Sequence, residues 1–210
     1  MDNDHEFSTA EEVLDKLRAG LHIYVREGSG AKNLETLIKT MLDAAVCLDR
    51  CAFCTDDKHV EEIRKEGHIS TCIRKAIALG VPVAKAYKMG SYQAAEFYGL
   101  KNYGAIGAGY RADIVFLDDL EQVRPLDVMK DGRILTEEDY AKDYSVPVPD
   151  ELLHTVHVGE VTKENIRLSC DGKTDVIQMN PHQIVTTHLV EEVPTANGYF
   201  NSDGVYNKIC

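Results

Sequence analysis

The chain has 210 residues, of which 44% are hydrophobic and 28% are charged, a balance typical of a water-soluble globular protein. The formal net charge of −12 argues against binding to nucleic acid polymers, because that binding depends on Lys and Arg neutralising phosphates. The sequence has no apolar run of about 18 residues and begins with an acidic segment unlike a signal peptide, so we expect no membrane span and a cytoplasmic location.

The first predicted helix begins at a capping signal. Ser8 and Thr9 are followed three residues later by Glu11 and Glu12, which is the spacing of a capping box. Apolar residues then recur at helical spacing until Gly20, where a helix would end. The sequence therefore predicts a helix with both ends marked.

Alternating strands and helices follow this first helix. Short apolar runs predict buried strands over residues 21–25 and 50–55, and a helical stripe separates them from residue 31 to residue 45. Further helices are predicted over 69–77 and from Pro82 toward Phe97, with a break near Gly90. Alternating units of this size are typical of a parallel sheet with helical crossovers.

The pattern changes after residue 103. A glycine-punctuated loop covers 104–109, an extended run covers 112–117, and Asp131-Gly132 lies between two short extended segments. The alternating Val and Pro of 146–149 predict an extended linker, with a boundary near residue 150. The last sixty residues are rich in Val, Thr and Ile and are predicted to be β-rich.

Polar residues cluster where the predicted strands end, at 4–6, 26–29 and 54–57. In a barrel of parallel strands these ends form one face, and chemistry takes place on that face. His and Asp are suitable ligands for Zn, Mn or Fe, and an Asp beside a metal can accept a proton from water. The same residue types also commonly cap helices and stabilise loops without any catalytic role.

Three other groups of residues suggest sites that we reject. Cys47, Cys51 and Cys54 lack a fourth ligand at a zinc or iron–sulfur spacing, and Cys47 is predicted on the apolar side of a helix, so buried free thiols are expected. The glycines of 104–109 have the wrong spacing for a phosphate loop. The histidines of the last sixty residues lack paired metal spacing, and ordinary roles are expected for them; they are His154, His157, His182 and His188.

Several motifs taken together resemble the adenine deaminases of the amidohydrolase superfamily. They are Asp4-His5-Glu6, Arg26-Glu27-Gly28-Ser29, Phe53-Cys54-Thr55-Asp56-Asp57 and Gly67-His68-Ile69, followed by a stretch over 104–115 where amidohydrolases leave their barrel. No single motif would suffice, but their order and spacing are specific. The resemblance is firmest over residues 4–135.

The resemblance implies an α/β fold, the C-terminal part of a (β/α)₈ barrel followed by other segments. Residues 1–103 would form late βα units of the barrel, 104–149 a small β-sandwich segment with a linker, and 150–210 the start of a β-rich C-terminal domain. The family's early His-x-His pair, its bridging glutamate and a further histidine are absent from this sequence. We therefore expect a fragment truncated at both ends and inactive alone.

The implied chemistry is hydrolytic deamination of adenine to hypoxanthine and ammonia. By resemblance, His5 and Asp56 match metal ligands, and Asp56, with its neighbour Asp57, matches the catalytic carboxylate. Substrate contacts are implied for four residues: Arg26, Glu27, Ser29 and His68. The cofactor would be a divalent metal in a binuclear site (Mn, Fe or Zn).

Other interpretations remain open at this stage. The parent could be another amidohydrolase that acts on a cyclic amide or a different base, or the chain could be a non-catalytic binding remnant. For the full-length form of the enzyme we expect a homo-oligomer with a small-molecule substrate and neither nucleic acid nor membrane as a partner.

Overall fold

A computed structural model describes residues 2–7, 9–143 and 145–207. The chain forms two compact units. The first extends to Ala141 and also takes in Asn180–Val185, and the second comprises Lys142–Met179 and the residues from Thr186 onward. None of the helices described is long and apolar enough to cross a membrane.

A parallel three-stranded sheet organises the first unit. Its strands are β1 (Asn3–Asp4), β2 (His22–Arg26) and β3 (Cys51–Cys54), in the spatial order β1-β2-β3. Asp4 pairs with Ile23, and Arg26 at the end of β2 pairs with Cys54 at the end of β3. Helices α1 (Ala10–Arg18) and α2 (Leu34–Asp43) connect successive strands, so the predicted α/β alternation is confirmed.

The capping box predicted for the first helix forms at Thr9. Its hydroxyl accepts a hydrogen bond from the Glu12 backbone N–H at 3.3 Å, and the Glu12 carboxylate accepts one from the Thr9 backbone N–H at 3.2 Å. Ser8 lies outside the described residues. The reciprocal pair satisfies donors that a helix N-terminus otherwise leaves free, so the helix begins here.

Four helices follow β3: α3 (Val60–Glu66), α4 (Ile69–Ala78), α5 (Val83–Gly90) and α6 (Tyr92–Phe97). The break predicted near Gly90 is confirmed between α5 and α6. A Cβ on Gly90 would lie 2.7 Å from Cδ1 of Ile73, so the glycine lets α5 approach α4 closely. The seven-residue α3 was not predicted.

The core lies between one face of the sheet and the helices. Side chains alternate along a strand, so every second residue of β2 and β3 faces the helices. The opposite face of the sheet carries Tyr24, Arg26 and Cys54, and the Tyr24 ring contacts Phe97 edge-on at 5.8 Å between ring centroids. The helix-facing strand residues and their main partners are Ile23, Val25, Cys51, Phe53, Leu34, Leu37, Ile38 and Met41.

A second, antiparallel sheet follows in the first unit. Its strands are β4 (Ile114–Leu117), β5 (Pro125–Lys130) and β6 (Arg133–Ile134). Asp131 and Gly132 join β5 to β6 with φ of 50° and 80°, the positive values that a tight two-residue hairpin requires. The predicted turn is confirmed, whereas the short helix α7 (Glu137–Ala141) after it was not predicted.

The second unit is β-rich, as predicted. After a single turn of helix, α8 (Asp150–Leu153), it contains β7 (Lys173–Met179), β8 (Thr186–Glu192), β9 (Thr195–Ala196) and β10 (Tyr199–Phe200). β7 pairs with β8 and β9 with β10, both antiparallel. Nε2 of His188 on β8 lies 2.7 Å from Oδ1 of Asp175 on the neighbouring strand β7.

The cysteine prediction is partly wrong. Cys47 lies beyond the end of α2 and is exposed, because the helix stops at Asp43 and the chain turns at Ala44 and Ala45 before this thiol. Its Sγ donates to Asp49 at 3.2 Å. Cys51 is buried and Cys54 is partly buried, and all three are free thiols.

Candidate active site at the strand ends

The carboxyl ends of β1, β2 and β3 lie at the same edge of the parallel sheet. His5 follows β1, Glu27 to Gly30 follow β2, and Thr55 to Asp57 follow β3. Parallel strands bring residues that are distant in sequence to one edge because all of them end there. The candidate site residues predicted near positions 5, 26 and 56 lie at this edge or next to it.

An ion cluster of Arg26, Asp56 and Asp57 forms at this edge. Nη2 of Arg26 lies 2.6 Å from Oδ2 of Asp56 and 3.1 Å from Oδ1 of Asp57. The Arg26 side chain is 7% exposed, whereas Asp56 is 42% exposed, so a buried cation holds a carboxylate that reaches toward solvent. Nε of Arg26 is buried and has no hydrogen-bond partner among the described residues.

Backbone conformation makes two consecutive carboxylates converge. Asp56 has a φ of 45°, in the left-handed region that Asp and Asn tolerate better than most residues. In an ordinary extended strand, neighbouring side chains point to opposite faces. The turn at Asp56 therefore allows Asp56 and Asp57 to contact the same guanidinium.

Asp57 also binds the loop after β2. Its Oδ2 accepts a hydrogen bond from the Gly30 N–H at 2.7 Å. Burial alone would raise the pKa of Asp57, but the Gly30 N–H and the Arg26 guanidinium outweigh it and hold the pKa below its ordinary value. Asp57 is thus held as a carboxylate that joins the loops after β2 and β3.

Ser29 is connected to α3 rather than left free. Its hydroxyl accepts from the His59 N–H at 2.9 Å and donates to the Glu62 carboxylate, which lies 3.5 Å from Nζ of Lys32. The Ser29 hydroxyl is the main cause of a lowered pKa at Glu62. The structure therefore places Glu62, which the sequence did not single out, beside a predicted substrate-binding residue.

Glu27 points to the helical layer. Its carboxylate is 5% exposed and lies 2.5 Å from Nζ of Lys75 on α4. Burial would lower the pKa of Lys75, but the contact with Glu27 raises it overall. These contacts give Glu27 a structural role, and its predicted contact with the substrate stays a prediction.

His68 reaches the strand end through Thr55. Its Nε2 lies 2.7 Å from the Thr55 hydroxyl, and Thr55 is buried directly before Asp56. The neighbouring Lys58 is also buried and lies 3.3 Å from a Glu66 carboxylate oxygen. A histidine and a lysine thus lie close to the turn that carries Asp56.

The donor set at this edge is incomplete for a metal. His5 is partly buried, and the adjacent Asp4 is turned toward α1, where it lies 2.5 Å from Nζ of Lys16. His and Asp are suitable metal ligands, but no group of three or more potential ligands occurs within residues 2–7, 9–143 and 145–207. The described residues alone therefore do not fit a metal site.

Comparison with known proteins places the chain in a family. A family model described as the Amidohydrolase family matches residues 3–135. The chain belongs to the amidohydrolase family. The match includes the parallel sheet and the ion cluster of this amidohydrolase chain, together with the antiparallel sheet of the first unit.

Curated relatives of this amidohydrolase chain include proteins named adenine deaminase. An adenine deaminase of Desulfitobacterium hafniense is 38% identical over 207 residues, which are 98% of this chain and 36% of the relative. Adenine deaminases of Methylobacterium nodulans and Bacillus subtilis are 40% and 35% identical, over 95% and 94% of this chain and 35% of each relative. The chain thus spans about a third of the length of the relatives it matches.

Among solved structures, the chain is similar to a β-aspartyl dipeptidase from Fervidobacterium islandicum. The two are 18% identical with a TM-score of 0.48, over 66% of this chain and 39% of the dipeptidase.

Sequence reasoning about this amidohydrolase missed the residues that support the site, namely Lys58, Glu62 and Lys75. One signal was available for Glu62. Acidic residues at 61 and 62, basic residues at 64 and 65 and a glycine at 67 are the charge pattern and ending of a short helix. No local pattern indicated that Lys75 meets Glu27, 48 positions earlier.

Proposed function

We propose that the longer protein to which this sequence corresponds converts adenine and water to hypoxanthine and ammonia. The observation that carries the proposal is the similarity to proteins named adenine deaminase over 94–98% of this chain. The geometry supports it, because polar motifs separated by twenty to thirty residues meet at one sheet edge, where barrel enzymes carry their chemistry.

The proposed organisation follows the sequence prediction. Residues 1–103 would supply late βα units of a (β/α)₈ barrel, 104–149 a small β-sandwich segment, and 150–210 the start of a C-terminal domain. Parallel β1 to β3, antiparallel β4 to β6 and the β-rich second unit support this division. The rest of the barrel would come from the two thirds of the relatives' length that this chain does not match.

Asp56 is the proposed proton acceptor. Hydrolysis adds a water oxygen to C6 of adenine, breaks the C6–N bond and needs one proton carried to the departing amino group. Oδ2 of the Asp56 carboxylate forms an ion pair with Arg26, and no described residue donates a hydrogen bond to its Oδ1. A partly exposed carboxylate oxygen beside a fixed cation suits that transfer.

Amidohydrolases generally use divalent metals, and we propose His5 and Asp56 as two ligands of a binuclear Mn, Fe or Zn site. Other ligands would have to come from outside the described residues, because these form no complete group. The proton step above uses the chain's own carboxylate alone.

Arg26, Ser29 and His68 are the proposed contacts to the substrate. Arg26 offers a buried, unpartnered Nε, and His68 lies one hydrogen bond from the residue before Asp56. Glu27 is also kept as a predicted substrate contact, although its carboxylate lies 2.5 Å from Nζ of Lys75. A homo-oligomeric state, a cytoplasmic location and the absence of nucleic acid or membrane partners remain predictions for the longer protein.

The test is a substrate screen on the longer protein. Ammonia release is measured with adenine, guanine, adenosine and cytosine, and ring opening with hydantoin and dihydroorotate. We expect adenine to be the preferred substrate by its kcat/KM. Preference for another base or for a cyclic amide would overturn the proposal. The 210-residue chain serves as the control and should release no ammonia.

A further inference from the structure

Asp57 lies against two glycines of the loop after β2. A Cβ built on Gly28 would lie 1.8 Å from Oδ1 of Asp57, and one built on Gly30 would lie 2.6 Å from Oδ2. Neither glycine has a positive φ, so the loop needs glycine here for space and not for backbone conformation. The Asp57 carboxylate fills the volume that side chains at 28 and 30 would occupy.

The two carboxylates of the cluster differ in what they bind. Oδ2 of Asp57 accepts from the Gly30 N–H, and its Oδ1 is buried beside Gly28, 3.1 Å from Nη2 of Arg26 and without a hydrogen-bond partner among the described residues. Among the described residues, the ion-pair partner of Asp56 is the Arg26 guanidinium. Oδ1 of Asp57 is therefore enclosed by the loop and the guanidinium, whereas the Asp56 side chain is 42% exposed.

We propose that Asp57 is a positioning residue, which clasps the loop Gly28–Gly30 and fixes Arg26, and that it does not itself take part in the proton transfer. The assignment of Asp56 rests on the proposed function. The clasp itself rests only on contacts within this chain. This replaces the catalytic role that the sequence suggested for Asp57 with a role exerted through Arg26 and the loop.

The clasp is tested first in the 210-residue chain by a double-mutant cycle of Gly30→Ala and Asp57→Ala. Gly30→Ala should lower the melting temperature by about 5 °C, because the added methyl displaces the carboxylate. In the Asp57→Ala background the same change should have almost no effect, since the clashing group is gone. Equal effects of Gly30→Ala in both backgrounds would overturn the clasp.

A matched glycine and a direct readout complete this test. A Cβ on Gly159 would meet nothing within 4 Å and Gly159 has no positive φ, so Gly159→Ala should show no coupling to Asp57→Ala.

Hydrogen exchange of the Gly30 amide, followed by NMR, should be slow in the native chain and in Asp56→Ala but fast in Asp57→Ala. Fast exchange in the native chain would contradict the Asp57 bond.

The division of roles is tested in the longer protein. In Asp57→Asn the side-chain carbonyl can still accept from Gly30, so kcat for adenine should fall by no more than about tenfold, whereas Asp56→Asn should lose about 10³-fold or more. Equal losses would make Asp57 a proton handler and overturn the proposal. If the longer protein does not deaminate adenine, the proposed function fails, while the coupling of Gly30 with Asp57 still decides the clasp.

Discussion

Removing Lys75 should destabilise the first unit by leaving the Glu27 carboxylate buried without its partner. Breaking a fully buried ion pair costs roughly 3–5 kcal/mol. Lys75 is 45% exposed, so water can partly replace its ammonium group, and we expect Lys75→Met to cost about 2 kcal/mol in the free energy of unfolding. That loss corresponds to a fall in melting temperature of about 4–8 °C for a chain of this size.

The assay is urea unfolding followed by circular dichroism at 222 nm, because most of the helices described lie in the first unit and the sequence contains no tryptophan. The double variant Glu27→Gln/Lys75→Met should recover at least half of the loss, since no buried charge is left unpaired. Lys39→Met is a matched control, because Lys39 pairs with the exposed Glu35 one turn away and should change stability by less than about 0.5 kcal/mol. A Lys75→Met loss as small as that control would refute the structural role of Glu27.

Three further predictions follow from the same contacts. Burial raises the pKa of the Cys54 and Cys72 thiols to about 12, so both should react with iodoacetamide far more slowly at pH 8 than exposed Cys47, as peptide mass spectrometry would show; equal labelling would contradict this. The Arg133 contact lowers the pKa of Asp139, so the carboxylate stabilises the fold at pH 7 and this contribution is lost as the pH falls through the lowered pKa. The stability difference between native chain and Asp139→Asn should therefore shrink between pH 6 and pH 2 in urea titrations, and a constant difference would be evidence against the contact. Finally, the isolated chain should keep less than stoichiometric divalent metal after dialysis, measured by plasma emission, and tight stoichiometric binding would contradict the incomplete donor set.

Much of the first unit could be predicted from local patterns. The capping box at Thr9, the apolar stripe of α2 and the glycine break after α5 are short-range signals, and each appears in the structure within a few residues of its predicted place. The strand ends were found for the same reason, because an apolar run that stops at polar residues is visible in the sequence.

The contacts within the site could not be predicted in this way. Whether the Glu27 side chain, directly after β2, meets Lys75 depends on the side of the sheet to which it points, and a run buried on both sides carries no alternation to indicate that side. The helix α3 has seven residues and buries none of them, so it lacks the apolar stripe that reveals longer helices. Cys47 was assigned to a helix that ends four residues earlier, since helix ends are poorly marked without a glycine or a cap.

The most direct test of the account is the replacement of Asp56 by Asn in the longer protein. Asn tolerates the positive φ of 45° at this position as well as Asp does, so the variant should keep the native circular dichroism spectrum and melting profile. An amide cannot accept the proton from water, and hypoxanthine formation from adenine should therefore fall by at least about 10³-fold. Near-normal turnover of adenine by a folded Asp56→Asn variant would contradict the assignment of this strand end as the catalytic site.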